Sequence, residues 1–336
     1  MFDVAHLAHV ELLTPDPDGS AKFFTEILAM EETGRSGESI YLRAFEEGYH
    51  HSLKLTGADR AGLGHIGWRT TSQAALERRG TALAATPRGR GWSDGDVGHG
   101  PAYQFTTPDG HLTEVFFEVT YADISDAEQT RLLCRPQRRP LHGVPVRRID
   151  HINLLATDVA ACNDFLIEQL GFRLREQIVR GDGELRGVWL SVTALAHDIA
   201  VMQDGLGEPG RLHHLCYWYG TAQHLEDVAD VLRDRDIVVE HGPGVHGATH
   251  AKFLYVIEPG GNRIEFFGDT GRLVFDPTAP VITWDQDHAD VAGSWIGSPA
   301  PDPDFYLYAT PVVPIPDDLV RTSQVGPRLT QERHSG

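Results

Sequence analysis

The sequence predicts an α+β fold built from four copies of one β-α-β-β-β module, paired into two tandem halves. Three observations carry this. A strand that opens on a histidine and leads into an amphipathic helix occurs near the start and again mid-chain. A second strand-helix pair follows each of these, again with a histidine in the strand. Each half then closes on a Pro-Gly turn and a strand that holds a glutamate: Pro108-Asp109-Gly110 before Glu114, and Pro259-Gly260-Gly261 before Glu265. Self-similarity at this period is the mark of duplication.

Taken in order, the first module covers about 6–57. It reads His9-Val10-Glu11-Leu12-Leu13, a helix from Ser20 to Met30, and a short strand from Ser39 to Phe45. The second, about 62–119, has Gly64-His65-Ile66-Gly67-Trp68, a helix over Ser72 to Ala84, and the strand through Leu112 to Phe117. The third, about 148–204, has His151-Ile152-Asn153-Leu154-Leu155 and a helix from Val159 to Leu170. Val159, Cys162, Phe165, Leu166 and Leu170 recur there at helical spacing, and Asp158 stands where an N-cap belongs. Strands at Val188 to Val192 and Asp198 to Gln203 complete it. The fourth, about 210–268, has Leu212 to Trp218, then a helix over Ala222 to Arg235 with Leu225, Val228, Ala229 and Leu232 on one face. Its strands end near Tyr255 and run again from Arg263 to Phe267, around the tight Pro-Gly-Gly turn. The resulting divisions are 1–119 as an N-terminal scaffold domain, 120–147 as a linker, 148–270 as the catalytic domain and 271–336 as an extended tail. The linker's Arg131, Arg135, Arg138 and Arg139 read as a solvated basic face. The tail aromatics Phe275, Trp284, Trp295, Phe305, Tyr306 and Tyr308 indicate that part of it packs on the body, and the last ten residues read as disordered.

Composition narrows the partners. At 336 residues the chain is long enough for two domains. A net charge of −19 argues against nucleic acid or an anionic membrane as partner. No apolar run suffices to span a bilayer, and the first residues carry no secretion signal. Cys134, Cys162 and Cys216 have no close spacing, so neither a disulfide framework nor a thiolate metal site is implied. A reducing, cytoplasmic setting follows.

The chemistry concentrates in strands of the second half. Glu265 lies among Ile264, Phe266 and Phe267, and a carboxylate buried there needs a partner, of which a metal ion is one. Aligning the halves pairs His151 with His9, His214 with His65 and Glu265 with Glu114. Two histidines and one carboxylate from three strands make the facial set that suits non-haem Fe(II), leaving the opposite face open. A lone strand histidine is more often a satisfied core residue. His213 beside His214 shows the ambiguity, because strand neighbours point to opposite faces, so at most one of the two can ligate, and the correspondence with His65 and the spacing to Glu265 favour His214.

From Gly244 the chain runs Gly-x-His246, seven residues, Leu254-Tyr255, two residues, Glu258-Pro259-Gly-Gly261, three residues, Glu265. This resembles, without a gap, the signature of the type I extradiol catechol dioxygenases of the vicinal oxygen chelate superfamily, and the likeness extends over about residues 5–290. The resemblance implies two tandem open β-barrels of the glyoxalase/bleomycin-resistance kind with flanking helices. It implies His151, His214 and Glu265 as ligands of Fe(II), with Mn(II) as an alternative, and dioxygen as co-substrate. It places Asn153, Trp189 and His241 about the substrate, His197 as acid/base, and His246 and Tyr255 as hydrogen-bonding groups for substrate oxygens. Trp218 is a second candidate wall, with core packing its better explanation. The implied reaction opens a catechol ring outside its two hydroxyls, giving a 2-hydroxymuconate-semialdehyde-type product. It needs a proton taken from the second hydroxyl and later returned, which suits histidine. A homo-oligomer, specifically a tetramer, is also implied.

The N-terminal half keeps His9, His65 and Glu114, and His51 aligns with His197. Yet Gln104 stands in register with Tyr255 and Glu11 with Asn153, and the Gly-Pro-Gly-x-His segment has no clear counterpart, although His99 is near. This half therefore reads as a scaffold with residual polar residues. The resemblance also implies where a carboxylated catechol would be met, since relatives that take one place arginines near the Gly-Pro-Gly-x-His segment and in the tail; no arginine occurs here from Glu240 to His246 or from Asp285 to Trp295, which favours an uncharged, alkyl- or aryl-substituted catechol. Three other readings stay open: a hydroxyphenylpyruvate-type dioxygenase, a metal-dependent isomerase or lyase, and a non-catalytic protein that holds an aromatic ligand.

Overall fold

A computed structural model of the chain describes residues 3–285, 287–288, 291–292, 301 and 303–316. Trp295, most of the segment from Asp285 to Trp295, and the last ten residues lie outside the described residues.

The four modules are regular. The first comprises β1 (Val4–Thr14), α1 (Pro17–Glu26), β2 (Glu31–Ser36), β3 (Ser39–Arg43) and β4 (Leu53–Gly57). The second comprises β5 (Gly62–Thr70), α2 (Gln73–Ala84), β6 (Gly89–Ser93), β7 (Ala102–Thr106) and β8 (Leu112–Phe116). The third comprises β9 (Arg148–Ala156), α3 (Val159–Leu170), β10 (Arg173–Val179), β11 (Leu185–Ser191) and β12 (Ile199–Gln203). The fourth comprises β13 (Arg211–Trp218), α4 (Gln223–Asp234), β14 (Val239–Val245), β15 (Lys252–Ile257) and β16 (Arg263–Phe267).

Local chemistry sets the helix ends. Asp158 caps α3 by accepting from Ala161 N at 2.9 Å, and Gly171 ends it in the left-handed region at φ 76°. Helix α1 begins three residues before the predicted Ser20, because Asp16 accepts from Gly19 N and Pro17 occupies the first helical position.

Each half forms one mixed sheet. The first runs β2-β3-β4-β1-β5-β8-β7-β6, and the second β14-β15-β16-β13-β9-β12-β11-β10 with one added edge strand. The first strands of paired modules meet antiparallel at the centre, β1 on β5 and β9 on β13. The end strands β2 and β6 are not paired, so the first sheet is open. This topology puts the histidine strands and the glutamate strand side by side in each half. A continuous apolar core runs from Leu7, Val10 and Trp68 through to Ile152, Leu154 and Tyr217, so the halves share it. Burying both faces explains why nearly all of β9 is apolar or inward-facing.

Asp109 ties the halves together. This buried carboxylate accepts from Thr157 N, Thr157 Oγ1 and Gly210 N at 2.9, 2.5 and 3.1 Å. Asp109→Ala strands three donors, so a destabilisation of about 3 kcal/mol is expected, read as a lowered midpoint in chemical denaturation. An unchanged midpoint would show that these bonds are not what holds the halves.

The tail is more ordered than extended coil. β17 (Ile282–Trp284) pairs parallel with β10, and α5 (Pro303–Leu307) follows. Glu176, buried in β10, accepts from Thr249 N, Arg272 Nη2 and Trp284 Nε1. Tyr308 Oη donates to Gly261 O at 2.6 Å. Phe275, in contrast, is 79% exposed. In the linker Arg131, Arg138 and Arg139 are exposed, and Arg135 lies over the Phe45 ring. No helix among the described residues is long and apolar enough to cross a membrane.

Candidate metal centre

Three central strands of the second sheet deliver three donors to one point. His151 comes from β9, His214 from β13 and Glu265 from β16, and all three are buried. His151 Nε2 and His214 Nε2 lie 2.9 and 3.0 Å from Glu265 Oε2, and 3.2 Å from each other. Cis ligands about 2.1 Å from an octahedral ion are about 3.0 Å apart, so these three fit one face of such a sphere. The outer nitrogens are held. Asp150 Oδ1 stands 3.1 Å from His151 Nδ1, and His213 Nδ1 stands 2.7 Å from His214 Nδ1. Fixing Nδ1 aims the Nε2 lone pair inward.

The electrostatics ask for a cation here. Burial alone would raise the Glu265 pKa, yet the charge of His214 and hydrogen bonds from His151, His214 and His246 hold it well below the usual range. Burial disfavours charge on His151, but the Asp150 and Glu265 carboxylates raise it to about 9. A proton on His151 or a divalent ion meets the same demand.

The centre lines a cavity of about 130 Å³, close to the roughly 150 Å³ that holds benzene in an engineered apolar core. All the residues expected about a substrate line it: Asn153, Trp189, His197, His241, His246 and Tyr255. His246 Nε2 is 3.0 Å from both Tyr255 Oη and Glu265 Oε1. Burial, followed by the Glu265 charge, pushes the Tyr255 phenol well above its usual pKa, so it stays a donor. His197 follows β11, and its ring lies tilted against the His151 ring with centroids 4.0 Å apart. Its loop is pinned by Asp198, which accepts from Val192 N, Thr193 N and Thr193 Oγ1. Burial, with His151 next in weight, lowers the His197 pKa well below the ordinary value, which keeps the ring a proton acceptor. Asn153 Oδ1 has no hydrogen-bond partner among the described residues. Trp218 is absent from the lining and lies between Arg147 and Arg148, as core and surface packing require.

The signature turn is structural. Both Glu258 oxygens accept backbone N–H groups, from Gly260 and Asn262. Gly261 takes φ 105°, where only glycine is unstrained. A β-carbon on Gly260 would collide with Thr14 Oγ1 of the first half.

Strand alternation fails at one place. A bulge between Leu212 and His214 lets His213 line the cavity beside His214, so both neighbours face inward. His213 is also held on its other side by the Phe305 backbone. Phe305 and Tyr306, brought by the tail helix, were counted in the sequence only as packing residues, yet both line the cavity. Met202 and Phe267 line it as well, with no sequence signal beyond their strand positions. The expected registers hold: Tyr255 opposes Glu265 as Gln104 opposes Glu114, and His214 opposes Asn153 as His65 opposes Glu11.

The profile of the Glyoxalase/Bleomycin resistance protein/Dioxygenase superfamily matches residues 148–266. The chain is 54% identical over 315 residues to a metapyrocatechase from Geobacillus stearothermophilus, covering 93% of this chain and 95% of that protein. It is 37% identical over 299 residues to a manganese-dependent 2,3-dihydroxybiphenyl 1,2-dioxygenase from Geobacillus genomosp. 3, covering 88% of this chain and 94% of that protein. Among solved structures, homoprotocatechuate 2,3-dioxygenase from Brevibacterium fuscum, in its anaerobic complex with 3,4-dihydroxyphenylacetate, superposes with a TM-score of 0.80 at 30% identity. That match covers 91% of this chain and 92% of the other.

Proposed function

We propose, for a chain that belongs to the metapyrocatechase family of extradiol dioxygenases, that His151, His214 and Glu265 hold its catalytic ion and that the cavity beside them binds an uncharged catechol. The chain is an extradiol catechol dioxygenase, with dioxygen as co-substrate and Fe(II) or Mn(II) as its metal. The observation that carries the site reading is the convergence of three donors, from three strands, on one point of a small cavity. Bound there, the ion supplies a common template for catechol and dioxygen and a path for electrons between them.

The surrounding side chains do the rest. His197, kept neutral by burial, accepts the proton of the second catechol hydroxyl and returns it as the ring opens. Tyr255 donates to a substrate oxygen, and His246, which bridges Tyr255 and Glu265, stabilises charge that develops there. Asn153 offers its unpartnered amide oxygen to the cavity, and Trp189 and Phe305 wall the ring. His241 completes the side nearest Tyr255.

Residues 1–119 serve as the first domain, 120–147 as the linker, 148–270 as the catalytic domain and 271–336 as the tail, of which Phe305 and Tyr306 line the cavity. The working form is a homo-oligomer in the cytoplasm, a tetramer by the family likeness, with neither nucleic acid nor membrane as partner.

The substrate preference follows from charge. No lysine or arginine lines the cavity among the described residues. The nearby Arg263 is spent on Glu240 and on the carbonyls of Phe305 and Tyr308. A substrate carboxylate would be buried unpaired, at a cost of about 3 kcal/mol, or roughly 100-fold in kcat/KM. The experiment loads the protein anaerobically with Fe(II), offers catechol, 3-methylcatechol and 3,4-dihydroxyphenylacetate, admits air and identifies products by mass. Products that gain both oxygen atoms and are cleaved beside the diol are expected, with the carboxylated catechol slowest. Equal or better kcat/KM for that catechol would overturn the preference.

A further inference from the structure

Thr249 lines the cavity beside the metal centre and has two unusual features of its own. It stands in the loop between β14 and β15 at φ 64°. That is the left-handed region, which a β-branched residue enters only under strain. Its hydroxyl is buried and has no hydrogen-bond partner among the described residues. Both features cost stability, and such costs gather where a ligand binds.

The conformation is enforced from outside the loop. Thr249 N donates to Glu176 Oε1 at 3.1 Å, and Thr249 O accepts from Arg272 N at 2.7 Å. Glu176 is fixed in turn by Arg272 Nη2 at 2.6 Å and Trp284 Nε1 at 2.9 Å. One residue earlier, Ala248 N donates to Ala292 O at 2.8 Å. Gly247 lets the tail come that close, because a β-carbon there would strike the Val291 carbonyl. Strand and tail thus hold Thr249 in a backbone conformation that it resists. The same anchors place it. Glu176 opposes Trp189 across β10 and β11. The ligands come from the adjacent strands β16, β13 and β9, and β10 lies three places beyond β9 in the sheet. Thr249 therefore joins Trp189, Ala248 and Ala292 on the wall made by β10, β11 and the tail.

We propose that Thr249 determines specificity, on the reading that the catechol lies in this cavity: its hydroxyl bonds a neutral polar substituent on the ring, a hydroxymethyl group or its like. Within the uncharged class, the site then prefers such catechols to their alkyl analogues. A hydroxyl both donates and accepts, so it can meet a substituent hydroxyl in either sense. An alkyl substituent in the same place leaves the buried hydroxyl unpaired, which is the costly case. Sites built to bond a substrate hydroxyl reject the analogue that lacks it. No lysine or arginine among the described residues lines the cavity, so a charged substituent finds no partner there.

The test compares hydroxymethyl- with methyl-substituted catechol, at both ring positions, in Fe(II)-loaded full-length wild type, Thr249→Val and Thr249→Ser. Valine keeps the branch and the size and removes the hydroxyl, whereas serine keeps the hydroxyl. The measured quantity is the ratio of the two kcat/KM values, which does not depend on how fully each preparation is loaded. At one ring position or both, the ratio should fall about tenfold in Thr249→Val. It should persist in Thr249→Ser. The change should lie in KM rather than kcat, because the bond is remote from the reacting atoms. Anaerobic binding of the two catechols should show the same shift. The melting temperature of Thr249→Val should be no lower than that of wild type, since an unpaired buried hydroxyl is gone. Cleavage with an unchanged ratio in Thr249→Val overturns the proposal, as does a lowered melting temperature with an unchanged ratio, which would mark Thr249 as structural. If wild type cleaves none of these catechols nor catechol itself, the reading of the cavity fails and the proposal falls with it.

Discussion

Glu265→Ala is expected to lose one metal ion per chain and, with it, ring cleavage. Disturbing only the outer partners of a metal ligand costs roughly 10–100-fold in affinity or activity, so removing the sole carboxylate of the set should exceed the upper figure. The geometry explains why alanine is so damaging. Glu265 faces His151, His214 and His246 at 2.9–3.0 Å and is buried, so its loss leaves the two histidines without the carboxylate of the set. The competing explanation is a buried ion-pair cluster with no metal. In that case the substitution would lower stability by several kcal/mol and leave metal content unchanged. Element analysis of wild type and variant, alongside oxygen uptake with catechol, separates the two. An iron-loaded, active Glu265→Ala protein refutes the ligand assignment.

Much of this site was legible because its geometry is that of paired strands. A two-residue period fixes which residues share a face, and the duplication supplies an internal ruler. His9 and His151, His65 and His214, and Glu114 and Glu265 therefore align without any structure. The four modules follow from the same ruler, and α3 matches its predicted bounds because Asp158 and Gly171 mark both ends. Three features were hidden, each for a physical reason. The bulge at His213 is a local departure from alternation, which pattern reading cannot see. Phe305 enters the cavity from far along the chain, through a helix of five residues too short to carry a periodic signal. His99 occupies the place of His246 but comes from an irregular segment with no matching motif, so only its 3.1 Å approach to Glu114 reveals the equivalence. The tail was misjudged as coil because Pro, Asp and Gly dominate it, whereas its order comes from non-local partners such as Glu176.

His197→Phe is expected to separate binding from turnover. The residue lies against the His151 ring, tilted, with centroids 4.0 Å apart, and lines the cavity. Phenylalanine keeps an aromatic ring against His151 and removes the nitrogens proposed to carry the proton. General acid–base groups contribute typically 10²–10⁴-fold, so kcat should fall by roughly that factor. Metal content should stay at the wild-type value, and anaerobic catechol binding should change little. This split distinguishes chemistry from packing. A merely structural His197 would, on substitution, lower stability or loosen catechol binding while sparing kcat. Its neighbour Asp198 provides the control, because it holds the loop through Val192 and Thr193 without entering the cavity. Asp198→Asn should therefore affect kcat only as far as it misplaces His197, and less than His197→Phe does. Full turnover in His197→Phe would move the proton transfer to another group, with His246 the next candidate within reach of the substrate oxygens.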